Sequence, residues 1–406
     1  MGDDIAKIKG ADFMLYVGID IAKNKHDCCI LSDQGTVLND FFTFPNTKNG
    51  FELFENTLKN AQIESNDFDL TIGFESTGHY SNNLAFFLQS KEYTLVVFNP
   101  LSTNLYRKAL SLRKTKTDKI DAKVIAMMLL SKQGRSMDSE SKQLSELKRF
   151  TRHRNRLGKQ LSREKVQFTR LLDIVFPELA SFIWSIHQKS VYALLNSYPS
   201  TEKISQAHLK SLTTLLFNAS NGRYGKEKAI EIRDAAKNSI GANSNSLHIE
   251  LCSIISTINH FESKIDMIDK EIKKLMNEIN SPILSIPGIS YRLGSVIISE
   301  IRNIDFFESP SKLLAFSGMD PSIHQSGQFV GEGIMVKRGS SHLRWALLQA
   351  ARLVSMRCPA FQTYLDKKIN EGKHYFVALS HVAKKLSRTI FYLLKTNQQF
   401  DLSKSI

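Results

Sequence analysis

Four acidic side chains in the first third of the chain have the types and spacing of a metal-dependent phosphoryl-transfer site. Asp20 closes a β-rich run in GIDIAK, and Glu75 closes another in FESTG. Asp118 and Asp121 stand three positions apart in KTDKIDAK, so a helix places both on one face. Carboxylates crowded at one point repel unless a proton or a cation separates them. Hard oxygen donors select Mg²⁺ or Mn²⁺. Two such ions about 3.5–4 Å apart activate an attacking oxygen and stabilise a leaving one. Each acid alone has a plainer reading. A strand-end Asp is commonly a turn residue, and an Asp pair at a helix start commonly compensates the helix dipole. The combination favours metal, as do the surrounding cations Arg107, Lys108, Arg113, Lys114, Lys116 and Lys119, which suit a phosphate backbone.

The elements that must position these acids follow from the hydrophobic pattern. Residues 15–22, 26–32 and 36–44 are β-rich runs joined by short turns, which predicts an antiparallel meander. A helical pattern over 49–61, a strand over 69–76, a helix over 78–91 and a strand over 93–100 follow. The last helix runs over 117–132 with Thr117 as N-cap. The order β-β-β-α-β-α-β-α predicts a ribonuclease H-like α/β fold, in which the first and fourth strands are neighbours and Asp20 meets Glu75.

The chain has 406 residues with net charge +14, enough for two or three domains and a polyanionic partner. No apolar run reaches the ~18 residues of a membrane span, and the first ten residues lack the apolar core of a signal peptide. The four cysteines form no C-x-x-C pair, so a reducing, cytoplasmic setting is expected.

Beyond residue 140 the pattern turns helical. Apolar seams at Leu147, Phe150, Leu157, Leu161, Phe168, Leu171 and Val175, and from Leu247 to Leu275, predict two coiled-coil helices that pair within the chain or across a dimer. The first carries nine cations between Lys148 and Arg170, Arg152 and Arg156 among them, against Glu164 alone, which favours a nucleic-acid face. The expected division is 1–135, 136–280 with a helical insertion at about 178–245, and a mainly α domain over 281–406. In that last domain IPGIS resembles a helix-hairpin-helix turn, with Ser290 where its second glycine usually stands.

GIDIAKNKHD, FESTGHY and KTDKIDAKVIA resemble the three N-terminal blocks of the insertion-sequence 110 family of transposases, relatives of the Piv DNA invertases. IPGIS, LLAFSGMDPSIHQSGQF and VKRGSSHLRWAL resemble its C-terminal domain. The resemblance implies a RuvC-like first domain whose Asp-Glu-Asp-Asp set falls on Asp20, Glu75, Asp118 and Asp121. It implies a serine nucleophile at Ser326, forming a covalent phosphoserine link to DNA. Without the resemblance Ser326 is an ordinary turn serine, with Ser317 and Ser322 as rivals and His324 as a nearby loop histidine. Lys337, Arg338 and Arg344 suit phosphate contacts, while Ser340 or Ser341 suits a helix cap. The resemblance further implies donor and target DNA, a structured guide (bridge) RNA read by base pairing, and a homodimer or homotetramer in a prokaryotic cell. Two rival functions remain at this level: a Holliday-junction resolvase that uses metal alone, and a non-catalytic nucleic-acid-binding protein. A sugar-kinase-like ATPase, whose fold also opens on GID, lacks its further Gly-rich strand turns here.

Overall fold

The computed structural model describes residues 14–65, 69–76, 78–110, 117–131, 134–136, 142–322, 325–326, 329–330 and 334–402. They fall into two compact units that divide at residue 140.

The first unit contains β1 (Met14–Ile21), β2 (Lys25–Leu31), β3 (Val37–Pro45), α1 (Lys48–Ser65), β4 (Asp69–Glu75), α2 (Ser81–Ser90), β5 (Thr94–Phe98), α3 (Pro100–Leu110), α4 (Asp118–Leu130) and β6 (Arg135–Ser136). The strands form one six-stranded mixed sheet in the order β3-β2-β1-β4-β5-β6. The meander pairs antiparallel and β1-β4-β5 pair parallel, as the alternation of elements predicts. Two elements escaped the sequence reading. β6 is a two-residue edge strand. α3 follows β5 directly, with Pro100 in its first turn and the Asn99 side chain accepting a hydrogen bond from the Leu101 N–H at 2.9 Å.

Side chains alternate across the sheet. Leu15, Val17, Ile19, Leu70, Ile72 and Phe74 bury themselves against Phe54 and Leu58 of α1 and Leu84 and Leu88 of α2. The opposite face receives α4 through Val124, Ile125, Met128 and Leu129. Its closest approach lies over Gly18, where a Cβ would stand 2.2 Å from the Ala122 carbonyl and 2.4 Å from the Ala126 nitrogen. At Gly73, the β4 partner of Gly18, a Cβ would meet the Leu129 side chain at 2.9 Å. Two glycines side by side thus form the furrow in which α4 lies.

The second unit contains α5 (Lys142–Val175), α6 (Lys189–Ser197), α7 (Thr201–Gln206), α8 (Leu209–Ala219), α9 (Lys226–Lys237), α10 (Asn245–Ile279), α11 (Tyr291–Ile301), α12 (Pro310–Ser317), the short strands β7 (Gln325–Ser326) and β8 (Phe329–Val330), α13 (Ser341–Arg357), α14 (Pro359–Asn370) and α15 (Tyr375–Thr396). The long helices α5 and α10 pair antiparallel within the chain: Gln143 meets Glu278, Arg154 meets Asp269, Lys165 meets Glu262 and Arg170 meets Glu250. Leu147, Leu157, Phe168, Leu171 and Val175 of the first predicted seam are buried, and Phe150 and Leu161 are partly so. The segment between the helices folds as α6–α9, whose Leu194, Leu195, Leu212, Leu216 and Ile232 share one core with Phe168 and Leu171 of α5 and Leu251 and Ile258 of α10. In the IPGIS turn Gly288 has φ +102°, and a Cβ there would stand 2.8 Å from the Leu353 backbone of α13. No helix among the described residues is long and apolar enough to cross a membrane.

Candidate active site

The acidic residues of the first unit are placed by strand ends and one helix cap. β1 and β4 run in parallel register as far as Ile19–Phe74. Asp20 and Glu75 lie one position further on, each two residues past a furrow glycine and therefore on the α4 face. Helix α4 begins above them. Thr117 is extended (φ −139°, ψ 150°), and its Oγ1 accepts a hydrogen bond from the Ile120 N–H at 3.3 Å. That cap leaves Asp118 and Asp121 in the first turn, where the helix dipole favours negative charge.

The crowding shows in Asp20. Its carboxyl is raised from an ordinary 3.8 to about 6, first by burial and then by Asp121, Asp118, Glu75 and Asp27. The four acids singled out by sequence therefore share one electrostatic neighbourhood. All their donors are hard oxygens, the set that suits Mg²⁺ or Mn²⁺ rather than a softer metal. As they lie, no three His, Cys, Asp or Glu side chains among the described residues stand close enough to grip one ion. Cations of the chain hold the outer carboxylates instead. Arg107 Nη1 donates to Asp121 Oδ1 at 2.8 Å, and Lys25 Nζ stands 3.9 Å from Asp118 Oδ2. Arg107, read from sequence as a phosphate contact, is thus engaged at the site itself and with Asn104 Oδ1.

Sequence reasoning missed Asp27. It is the cross-strand partner of Asp20. Partners in an antiparallel pair share a face, so Asp27 also lies beneath α4. The available signal was a charged residue inside the apolar run HDCCIL; the register that sets it opposite Asp20 was not readable.

In the second unit Ser326 closes β7 and pairs with Phe329 across the hairpin. Its two rivals have local duties. Ser317 is fully buried and its hydroxyl donates to the Leu314 carbonyl at 2.7 Å. Ser322 Oγ accepts from the Ile334 N–H at 3.1 Å. His324 and Lys116 lie outside the described residues. Lys119 is exposed, with Nζ 5.7 Å from the centre of the Phe41 ring.

The basic residues of this unit divide into two groups. Arg152 forms a two-pronged pair with the buried Glu300, at 2.8 and 3.1 Å. Arg154 pairs with Asp269, Lys165 with Glu262 and Arg170 with Glu250, while Lys148 stands 3.9 Å from Glu300. Five of the nine cations thus meet acids from α10 and α11, which lie far away in sequence and were invisible to a local count. Arg344 Nη1 donates to the carbonyls of Ser317 and Lys337, at 3.0 and 3.2 Å, so it clamps the backbone on either side of the hairpin. Arg156, Lys337 and Arg338 are exposed. Ser340 caps α13, accepting from the Leu343 N–H at 3.2 Å and donating to Glu300 Oε2 at 2.9 Å.

Two family models match the chain. One, described as a transposase, covers residues 17–177, which takes in Asp20, Glu75, Asp118 and Asp121. The other, described as the transposase IS116/IS110/IS902 family, covers residues 280–366, which takes in Ser326. The chain is 26% identical over 403 residues to the pilin gene-inverting proteins of Moraxella bovis and Moraxella lacunata, with 95% of this chain and 97% of each relative aligned. The two models together cover more than half of the sequence, and the chain is a DNA-recombining enzyme that belongs to the IS116/IS110/IS902 family of transposases.

Proposed function

We propose that this enzyme cuts and rejoins DNA strands at the ends of a mobile element, using a carboxylate-held divalent metal and the Ser326 hydroxyl. The observation that carries the reading is the shared electrostatic neighbourhood of Asp20 and Glu75 at the strand ends with Asp118 and Asp121 in the first turn of α4. The strand order β3-β2-β1-β4-β5 supports a ribonuclease H-like, RuvC-type first domain. The four carboxylates would hold Mg²⁺ or Mn²⁺, which supplies positive charge to the developing oxyanions of phosphoryl transfer. Lys119 and the other cations near the α4 N-terminus would hold the DNA backbone.

In the covalent step a bond forms between Ser326 Oγ and phosphorus, and the phosphorus–deoxyribose oxygen bond breaks. The serine proton ends on the freed deoxyribose hydroxyl. Attack by a hydroxyl of another strand reverses the exchange, so the phosphodiester is rebuilt without an outside energy source. The local engagement of Ser317 and Ser322 supports Ser326. Arg156, Lys337 and Arg338 remain for nucleic-acid contacts, and the net charge of +14 suits both DNA and a guide RNA. Strand exchange needs two DNA partners, so the active form is a homodimer or homotetramer. The functional division proposed is 1–135 for the carboxylates, 136–280 for the long helices and 281–406 for the serine.

The test is recombination of a plasmid carrying the element's ends, with Mn²⁺ and any guide RNA encoded beside the gene. Asp20→Asn, Glu75→Gln and Asp118→Asn each lose about 10²-fold or more of strand cleavage with melting unchanged. Wild-type cleavage by Asp20→Asn would contradict a carboxylate-held metal, and absence of cleavage by the wild-type chain would leave it a nucleic-acid-binding protein.

A further inference from the structure

The carboxylate face carries a fifth acid. Asp27 stands opposite Asp20 in the β1–β2 pair, and its side chain is only 5% exposed. Thr43 Oγ1 of β3 donates to Asp27 Oδ1 at 2.5 Å, which fixes the carboxylate plane. The other oxygen, Oδ2, is buried and makes no hydrogen bond. A buried carboxylate oxygen left this way costs free energy unless a cation serves it. Among the described residues Lys25 Nζ stands 3.3 Å from Asp27 Oδ2 and 3.9 Å from Asp118 Oδ2. One flexible, half-exposed ammonium therefore stands within reach of two carboxylates from different elements, the placement a bound cation would take.

Resting on the metal reading of Asp20, Glu75, Asp118 and Asp121, we infer that Asp27 is a further metal-binding carboxylate of the same site, held in aim by Thr43, with Lys25 as the counter-cation that a divalent ion displaces. A metal-holding acid needs a partner that orients it, and Thr43 supplies that hydrogen bond from the adjacent strand. Asn at position 27 keeps the shape and the acceptor for Thr43 but removes the charge.

The experiment is Mn²⁺ binding to the purified full chain without DNA, by calorimetry and by the metal-induced rise in melting temperature, each variant referred to its own metal-free state. Asp27→Asn is expected to bind Mn²⁺ about 10-fold more weakly or worse, the loss typical of a ligand or its orienting partner. Asp20→Asn serves as the reference. If Asp20→Asn loses Mn²⁺ and Asp27→Asn binds like wild type, the role of Asp27 is overturned while the metal reading stands. If both bind like wild type, the metal reading itself falls. Should Asp27→Asn not fold, Thr43→Val leaves the carboxylate but frees it to turn. Weaker Mn²⁺ binding by Thr43→Val then supports the assignment, and unchanged binding overturns it.

Discussion

Gly18 and Gly73 face one another across the parallel β1–β4 pair, and helix α4 lies on both. Two residues beyond each glycine stand Asp20 and Glu75. The bare furrow and the acids at its end are thus parts of one arrangement: α4 brings its first turn over the acids only because nothing projects beneath Ala122 and Ala126. Gly18→Ala puts a methyl group 2.2 Å from the Ala122 carbonyl, and backbone cannot yield as a flexible side chain would. The expected loss is about 2–3 kcal/mol in denaturant unfolding, with weaker divalent binding because Asp118 and Asp121 are pushed outward. Wild-type stability and metal binding in Gly18→Ala would contradict the close packing of α4.

Lys25 and the proposed metal compete for the same two carboxylates. Lys25→Met keeps the apolar stem and removes the charge. Mn²⁺ affinity is then expected to rise several-fold, read by calorimetry at low salt, where exposed charges are least screened. An unchanged or lower affinity would show that the ammonium does not stand in the way.

Glu300 ties α5, α11 and the cap of α13 together. Burial alone would raise its carboxyl; Arg152, Lys148 and Ser340 outweigh burial and hold it below the ordinary 4.5. A depressed folded value stabilises the fold above the unfolded value, and that contribution is lost as pH falls through the folded one. Glu300→Gln is expected to cost about 2 kcal/mol at neutral pH, since it leaves Arg152 without its ionic partner. The gap between wild type and variant is expected to close in melts below pH 4.5. A gap that stays constant into acid would mean that the pair contributes packing and not charge.

Arg344 looks from sequence like a phosphate contact, and the structure gives its guanidinium two backbone carbonyls. Arg344→Ala is therefore expected to lower stability by about 1–2 kcal/mol in the absence of nucleic acid. An arginine that served phosphate alone would leave the melt unchanged and lower the salt slope of DNA binding by about one.

These residues also show what sequence makes legible. The five strands β1–β5 beneath the site follow from alternating apolar runs and short turns, because side-chain period and loop length are local properties. The two seams follow from heptad-like spacing in the same way, whereas the choice between pairing within the chain and across a dimer was left open by sequence and is answered by the ion pairs between α5 and α10. Thr117 was readable as a cap because a cap is decided within four residues. Asp27 was not readable, since its meaning depends on the register of the β1–β2 hairpin, and a one-residue slip would turn it to the other face. The basic run of α5 was only partly readable for a related reason. Its charges are answered by Glu300, Asp269, Glu262 and Glu250, which come close only after α10 and α11 fold back. α3 went unseen because Asn99–Pro100 reads as a turn as readily as a helix start.

The covalent step is the central claim, and trapping it is the most direct test. Wild-type enzyme is incubated with Mn²⁺, DNA carrying the element's ends and any guide RNA encoded beside the gene, then denatured, digested with nuclease and protease, and examined by mass spectrometry. A nucleotide joined to the peptide that contains Ser326, absent from Ser326→Ala, is the result predicted. Strand cleavage that persists in Ser326→Ala, or a nucleotide on a peptide without Ser326, would contradict it.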